Sequence, residues 1–136
     1  MDHIRRDRLS ASAVVALAAG GLGVVYLLDP GSSGLYPPCP FLALTGLYCP
    51  GCGTLQALHQ LTLGHPVAAL DLNPLMALLL PFVAYSLASQ AMLAETGQPL
   101  RRFFVRPELI LALLGVVLAY GVLRNIPAYP FILLAP

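Results

Sequence analysis

The stretch SASAVVALAAGGLGVVYLL, which runs from Ser10 to Leu28, contains no charged residue and ends at Asp29-Pro30. An α-helix needs about 20 residues to cross the hydrocarbon core of a bilayer, so this run predicts a transmembrane helix. The run is also longer than the apolar region of a typical cleavable signal peptide. We therefore expect it to remain in the protein as a membrane span.

Two further apolar runs lie later in the chain. The run from Pro74 to Leu93 begins with Asn73-Pro74, an N-cap residue followed by proline at the first helical position. The run from Leu109 to Leu123 is shorter, but the flanking Glu108 and Arg124 can extend toward the two interfaces. We predict an all-α integral membrane protein with three transmembrane helices.

The composition agrees with a bilayer environment. Of the 136 residues, 58% are hydrophobic and only 10% are charged, and the mean hydropathy is +0.81. The formal net charge is +1, which leaves no broad basic face for a phosphate backbone. The lipid bilayer is the expected partner, and nucleic acid is not.

The positions of the arginines predict how the chain is oriented across the membrane. They cluster before the first run (Arg5, Arg6, Arg8) and between the second and third runs (Arg101, Arg102, Arg106), whereas residues 29–72 contain no Lys or Arg. By the positive-inside rule, the N-terminus is cytoplasmic and the long first loop is extracytoplasmic. Aromatic residues then gather at the outer interface, among them Tyr48 and Tyr120.

These patterns predict a single membrane domain over residues 1–136. Its successive parts are a basic cytoplasmic N-terminus (1–9), the first span (10–28), an outer cysteine-bearing loop (29–73), the second span (74–93), a basic cytoplasmic loop (94–107), the third span (108–124) and an outer tail (125–136). We expect a multi-pass protein of a bacterial plasma membrane.

The outer loop is too apolar to be a solvated linker. Pro37, Pro38 and Pro40 oppose regular helix at its start. After the CPGCG turn, the leucines of TLQALHQLTL (54–63) recur at helical spacing, and Pro66 favours a second short helix that ends before Asn73-Pro74. A re-entrant or interfacial helical segment carrying CPGCG is therefore predicted.

All three cysteines, Cys39, Cys49 and Cys52, lie in this loop, in a compartment that permits disulfides. One interpretation is a structural disulfide or tight turn around Pro50-Gly51. A second is a zinc site in which the three cysteines are joined by His59 or His65, with His59 preferred in the ligand set. A third is thiol-disulfide exchange at Cys49 and Cys52.

The segment CPFLALTGLYCPGCGTLQALHQLTLGHPVAALDLNPL, with the later RNIPAYPFILLAP, resembles the small bacterial membrane proteins of domain-of-unknown-function family 2752. The resemblance covers Cys39–Pro81 and Arg124–Pro136, and it implies a fold class and a membrane location. The sequence departs from the family where Leu55-Gln56 replaces the usual Thr-Arg and His65 replaces an aspartate. Any role that needs a guanidinium at position 56 is therefore not expected here.

We expect a small accessory or assembly subunit that binds a larger membrane complex through its helices and its cysteine-stabilised outer cap. The alternative is a membrane thiol-disulfide oxidoreductase or metal-binding protein that uses Cys49 and Cys52. No serine-protease-type triad, phosphate loop or carboxylate pair is visible, which disfavours an enzyme. Arg124 is expected to contact lipid phosphate or an aspartate. Structural roles are expected for Gly53, Asn73, Pro74, Arg124 and Asn125.

Overall fold

A computed structural model describes residues 2–32, 34–100 and 106–135. The protein is all-helical, with 72% helix and no strand in those described ranges. The helices are α1 (Asp2–Leu27), α2 (Pro40–Thr45), α3 (Thr54–Thr62), α4 (Pro66–Leu72), α5 (Pro74–Thr96) and α6 (Pro107–Leu123), and a 3₁₀ turn follows at Phe131–Leu134. Arg101 and Arg102, on which part of the orientation argument depends, lie outside the described residues.

Two of these helices are long and apolar enough to cross a membrane: His3–Leu27 within α1, and α5. Large apolar side chains such as Leu17 and Phe82 are exposed along them, which is favourable in lipid and costly in water. Helix α6 is equally apolar but has only 17 residues. The expectation of an all-α protein with apolar helices of membrane-spanning length is confirmed for two helices, and the third span stays a prediction.

Helix boundaries follow from local sequence. Pro66, Pro74 and Pro107 each begin a helix. The N–H of the first helical residue has no acceptor within the helix, so proline, which lacks this N–H, is favoured there. Helix α1 starts well before the predicted first span, since the basic segment ahead of Ser10 continues the same helix. Helix α5 likewise continues beyond Leu93 to Thr96, where Gly97 follows in a left-handed conformation with φ of 78°.

One expectation about the outer loop was wrong. The three prolines at 37–40 do not exclude helix, because Pro40 occupies the first position of α2 and the restriction falls on the residues before it. Cys39 is thereby the N-cap residue of a short helix. The helix ends at Gly46, which has φ of 71°.

The chain divides into two compact units. One contains Met1–Val24 and Leu79–Phe104. Within it, Arg8 on α1 donates from Nε to the carbonyl of Ala94 and from Nη2 to that of Glu95, each at 2.9 Å. These bonds satisfy carbonyls of the last turn of α5.

The other unit contains Val25–Leu78 and Val105–Pro136, and all three cysteines belong to it. Within it, α3 packs against α4, and α4 contacts the 3₁₀ turn. Ala57 on α3 and Ala69 on α4 are fully buried. The small side chains at these positions allow the two short helices to pack closely against each other.

Candidate metal centre

The CPGC segment forms a tight turn in front of α3. The backbone N–H of Cys52 donates to the carbonyl of Cys49 at 3.1 Å, with Pro50 and Gly51 between them. Gly53 follows with φ of 80° and is the N-cap residue of α3. Because this left-handed conformation is costly for a residue with a Cβ, glycine at position 53 is what permits the helix to begin here.

The turn brings the three thiols together. The sulfur of Cys49 lies 3.5 Å from that of Cys39 and 3.2 Å from that of Cys52. All three Sγ atoms lie within 4.8 Å of one another, and all three cysteines are free thiols. Zinc–sulfur bonds of about 2.3 Å at tetrahedral angles place sulfur atoms about 3.8 Å apart. The observed spacing therefore fits three corners of a tetrahedral metal site.

The thiols differ in acidity. The backbone amide of Leu42 and then the thiol of Cys49 lower the pKa of Cys39 to about 7. Burial, assisted by the neighbouring Cys49 thiol, raises the pKa of Cys52 to about 12. Without a metal, the Cys39 thiol therefore ionises near neutral pH, whereas Cys52 stays protonated there.

Arg124 lies beneath the turn and is only 1% exposed. Its Nη1 donates to the carbonyls of Cys49 at 3.0 Å, Cys52 at 3.2 Å and Pro50 at 3.4 Å. Its Nε and Nη2 are buried without a hydrogen-bond partner. The sequence led us to expect contact with lipid phosphate or an aspartate. Instead, the guanidinium is buried and holds a positive charge against the backbone of two cysteines.

Two tyrosine rings complete the surroundings of this guanidinium. The centres of Tyr120 and Tyr48 lie 5.1 Å and 5.7 Å from the Arg124 guanidinium carbon. Their ring faces favour a cation, although they carry no full negative charge. Tyr120 is buried here, and its hydroxyl donates to Asn73 Oδ1 at 3.4 Å. Its predicted position at the outer membrane interface stays a prediction.

Asn73 fixes the turn from the start of α5. Its Nδ2 donates to the carbonyls of Pro50 and Cys52, both at 3.2 Å, and to the hydroxyl of Thr54 at 3.0 Å. Its Oδ1 accepts from the backbone N–H of Met76 at 3.0 Å and so caps the helix that Pro74 begins. At 1% exposure, one amide thus serves both the helix and the cysteine turn.

Asn125 and Gly121 fix the turn from α6. The side chain of Asn125 accepts from the backbone N–H of Tyr48 and donates to the Tyr48 carbonyl, both at 2.8 Å. Gly121 provides the space into which Pro50 packs, since a Cβ at position 121 would lie 2.9 Å from Pro50 Cγ. The sequence indicated structural roles for Arg124 and Asn125, whereas nothing in it distinguished Gly121 from other helical glycines.

The two predicted histidine ligands lie elsewhere. The Nδ1 atom of His59 is 2.7 Å from the carbonyl oxygen of Val25, and its Nε2 is 4.0 Å from Oδ1 of Asp29. His65 is the N-cap residue of α4 and is exposed. The structure brings Cys39, Cys49 and Cys52 together, and neither histidine joins this group among the described residues. The bonds of Asp29 to Gly31 and then Ser32 lower the pKa of its carboxyl group.

A cavity of about 570 Å³ opens beside the sulfurs. All three cysteines line it, together with side chains that include Tyr36, Tyr48 and Gln56. Gln56 is the residue that stands where the resembled family usually carries arginine. The cavity has the size of a small-ligand pocket and is open at the protein surface, so a ligand can reach the thiols through it.

Fold and site together define a class: a small all-helical protein with helices able to cross a membrane and three clustered thiols able to hold a metal ion. A family model described as "Protein of unknown function (DUF2752)" matches residues 39–87. The match confirms the resemblance that the cysteine motif and Asn73-Pro74 indicated, whereas Arg124–Pro136 lies outside the matched range. No curated protein and no solved structure matches the chain.

Proposed function

We propose that this is a metal-binding membrane protein that holds one divalent ion, zinc in the first place, through Cys39, Cys49 and Cys52. The observation that carries the proposal is the position of three free sulfurs within 4.8 Å of one another. Thiolates are favoured ligands of zinc. Cys49 and Cys52 belong to one turn held by Arg124, Asn73 and Asn125, and the sulfur of Cys39 lies beside them.

Metal content of the detergent-purified protein tests this proposal. We expect about one equivalent of zinc in the native protein and its loss in each of Cys39→Ser, Cys49→Ser and Cys52→Ser. His59→Ala is the matched control, because His59 contacts Val25 and Asp29 instead. A native protein without bound metal after purification under reducing conditions with zinc present would contradict the proposal.

The membrane arrangement is part of the proposal. Helix α6 would form a third span in addition to α1 and α5, with the N-terminus in the cytoplasm and the cysteines outside. The arginines in the first turns of α1 and the lack of Lys or Arg in residues 29–72 support it. A membrane-impermeant maleimide should label the metal-depleted thiols on intact spheroplasts. Labelling that requires membrane lysis would contradict this orientation.

An accessory or assembly role is compatible with this site. Helix α6 presents exposed apolar side chains such as Leu111 and Val122, which suit either lipid or a partner helix. An accessory subunit should copurify with one stable partner after gentle detergent extraction. Purification as a lone chain at all loadings would contradict the accessory role without affecting the metal proposal.

Thiol-disulfide exchange is the second candidate, favoured by the position of the Cys49 sulfur between those of Cys39 and Cys52. In this reaction, Cys49 and Cys52 form a disulfide while a substrate disulfide is reduced to two thiols. Cys52→Ser should then trap a mixed disulfide at Cys49. Absence of a trapped species would contradict the exchange reaction.

A further inference from the structure

Among the residues that the structure describes, the cysteine cavity is lined by three thiols but by no other strong metal ligand. The described wall residues include no histidine, aspartate or glutamate, and they consist mainly of prolines, leucines and the rings of Tyr36 and Tyr48. The hydroxyl of Thr54 also lines the cavity, but it already accepts a bond from Asn73. Three protein ligands leave a tetrahedral ion with one open position.

The charges beside the cluster restrict what can fill that position. Three thiolates and a divalent ion carry a net charge of −1. The buried guanidinium of Arg124 contributes +1 and is bonded to the carbonyls of Cys49 and Cys52, so the two charges balance. Asp29 does not alter this balance strongly, because its carboxylate is about half exposed and remains hydrated.

A further anion would leave a net negative charge among apolar walls, which is costly, whereas a neutral donor keeps the balance. The prolines and tyrosine rings also suit a flat, apolar ligand body. We propose that the open metal position faces this cavity and binds a small neutral aromatic nitrogen donor in preference to an anion. This inference rests on the proposed metal function.

Cobalt-substituted protein in detergent provides the test, because the visible bands of Co²⁺ report its coordination. Imidazole is the neutral probe and azide the anionic one. We expect a saturable spectral change with imidazole and binding of azide that is at least about tenfold weaker. Equal or tighter binding of azide would overturn the charge argument.

Two variants locate the site and its charge preference. Gln56→Arg adds a cation to the cavity wall and should strengthen azide binding about tenfold, while imidazole binding changes less than about twofold. Leu55→Trp fills the cavity and should weaken imidazole binding. Leu63→Trp is its control, because Leu63 is equally exposed, at 44%, but lies outside the cavity lining.

The outcomes separate the two proposals. If Co²⁺ does not bind, the metal function itself fails. If Co²⁺ binds but neither probe changes the spectrum at about 100 mM, the metal function stands and the open position is refuted. If Leu55→Trp binds imidazole as the native protein does, the open position does not face the cavity.

Discussion

The Nη1 atom of Arg124 lies 3.0 Å from the carbonyl oxygen of Cys49, a residue 75 positions earlier in the chain. A guanidinium that is 1% exposed is costly unless negative charge lies nearby, and turn carbonyls and tyrosine rings offer only partial charges. Under the proposed metal function, thiolates bound to the ion would supply the missing charge. The buried cation and the cysteine cluster are therefore best understood as one unit.

Replacement of Arg124 should reduce the stabilisation that zinc confers. Arg124→Met removes the cation, and a tenfold loss of zinc affinity would remove about 1.4 kcal/mol of that stabilisation. Arg124→Lys retains the charge and should retain most of the effect. The measurement is the rise in thermal unfolding midpoint on addition of zinc to metal-free protein. A rise in Arg124→Met equal to that of the native protein would show that the charge plays no part.

Gly121→Ala should displace the cysteine turn. The new Cβ would lie 2.9 Å from Pro50 Cγ, and relief of such an overlap in a packed region costs about 1–3 kcal/mol. Gly115→Ala is the control on the same helix, because nothing lies within 4 Å of a Cβ at that position. Thermal unfolding of both variants checks the prediction. Equal midpoints for the two would argue against the contact between Pro50 and α6.

Asn73→Asp should separate the two roles of Asn73. The carboxylate can still accept from the backbone of Met76, but it loses the donors that serve Pro50, Cys52 and Thr54. The carbonyls of Pro50 and Cys52 keep their donor from Arg124 but lose the Asn73 bond, and the new carboxylate oxygen faces them. This loss and repulsion in a buried turn should lower the free energy of unfolding by about 2 kcal/mol and weaken metal binding.

Denaturant unfolding and metal titration measure the two effects of Asn73→Asp. Ser86→Ala is a suitable control, since its exposed hydroxyl donates to the Phe82 carbonyl of its own helix. Metal affinity unchanged in Asn73→Asp would show that the turn does not depend on this amide.

Alkylation of the metal-free protein should distinguish Cys39 from Cys52 by pH. Only the thiolate reacts, so the rate at Cys39, whose pKa is lowered to about 7, should rise as the pH passes through 7. Cys52, whose pKa is raised to about 12, should stay unreactive across this range. Mass spectrometry after timed iodoacetamide exposure measures both sites. A half-maximal rate at Cys39 near pH 8.5, the usual thiol value, would contradict the contact with the Leu42 amide.

Zinc should protect Cys39 from the same reagent near neutral pH and lose this effect in acid. Protons compete with metal for the thiolates, so protection should decrease as the pH falls below 7. Addition of a chelator at pH 7.5 should restore the alkylation rate of the metal-free protein. A rate unaffected by zinc at that pH would show that Cys39 is not a ligand.

The sequence by itself determined the features that depend on neighbouring residues. Apolar run length predicted helices of membrane-spanning length, and Asn73-Pro74 predicted the start of α5 because an N-cap and a first-position proline act within one turn. The three cysteines of one loop predicted a site that involves them together, and the structure brings their sulfurs to one place.

Only the tertiary structure decided which groups surround that site. Helical spacing indicated His59 as a possible ligand. Its ring instead contacts the carbonyl of Val25, which lies near the end of α1 and 34 positions earlier in the chain. Arg124 and Gly121 reach the cysteine turn only because α6 packs against it. Such contacts join residues that are far apart in the chain, and neither periodicity nor composition carries information about which distant residues will meet.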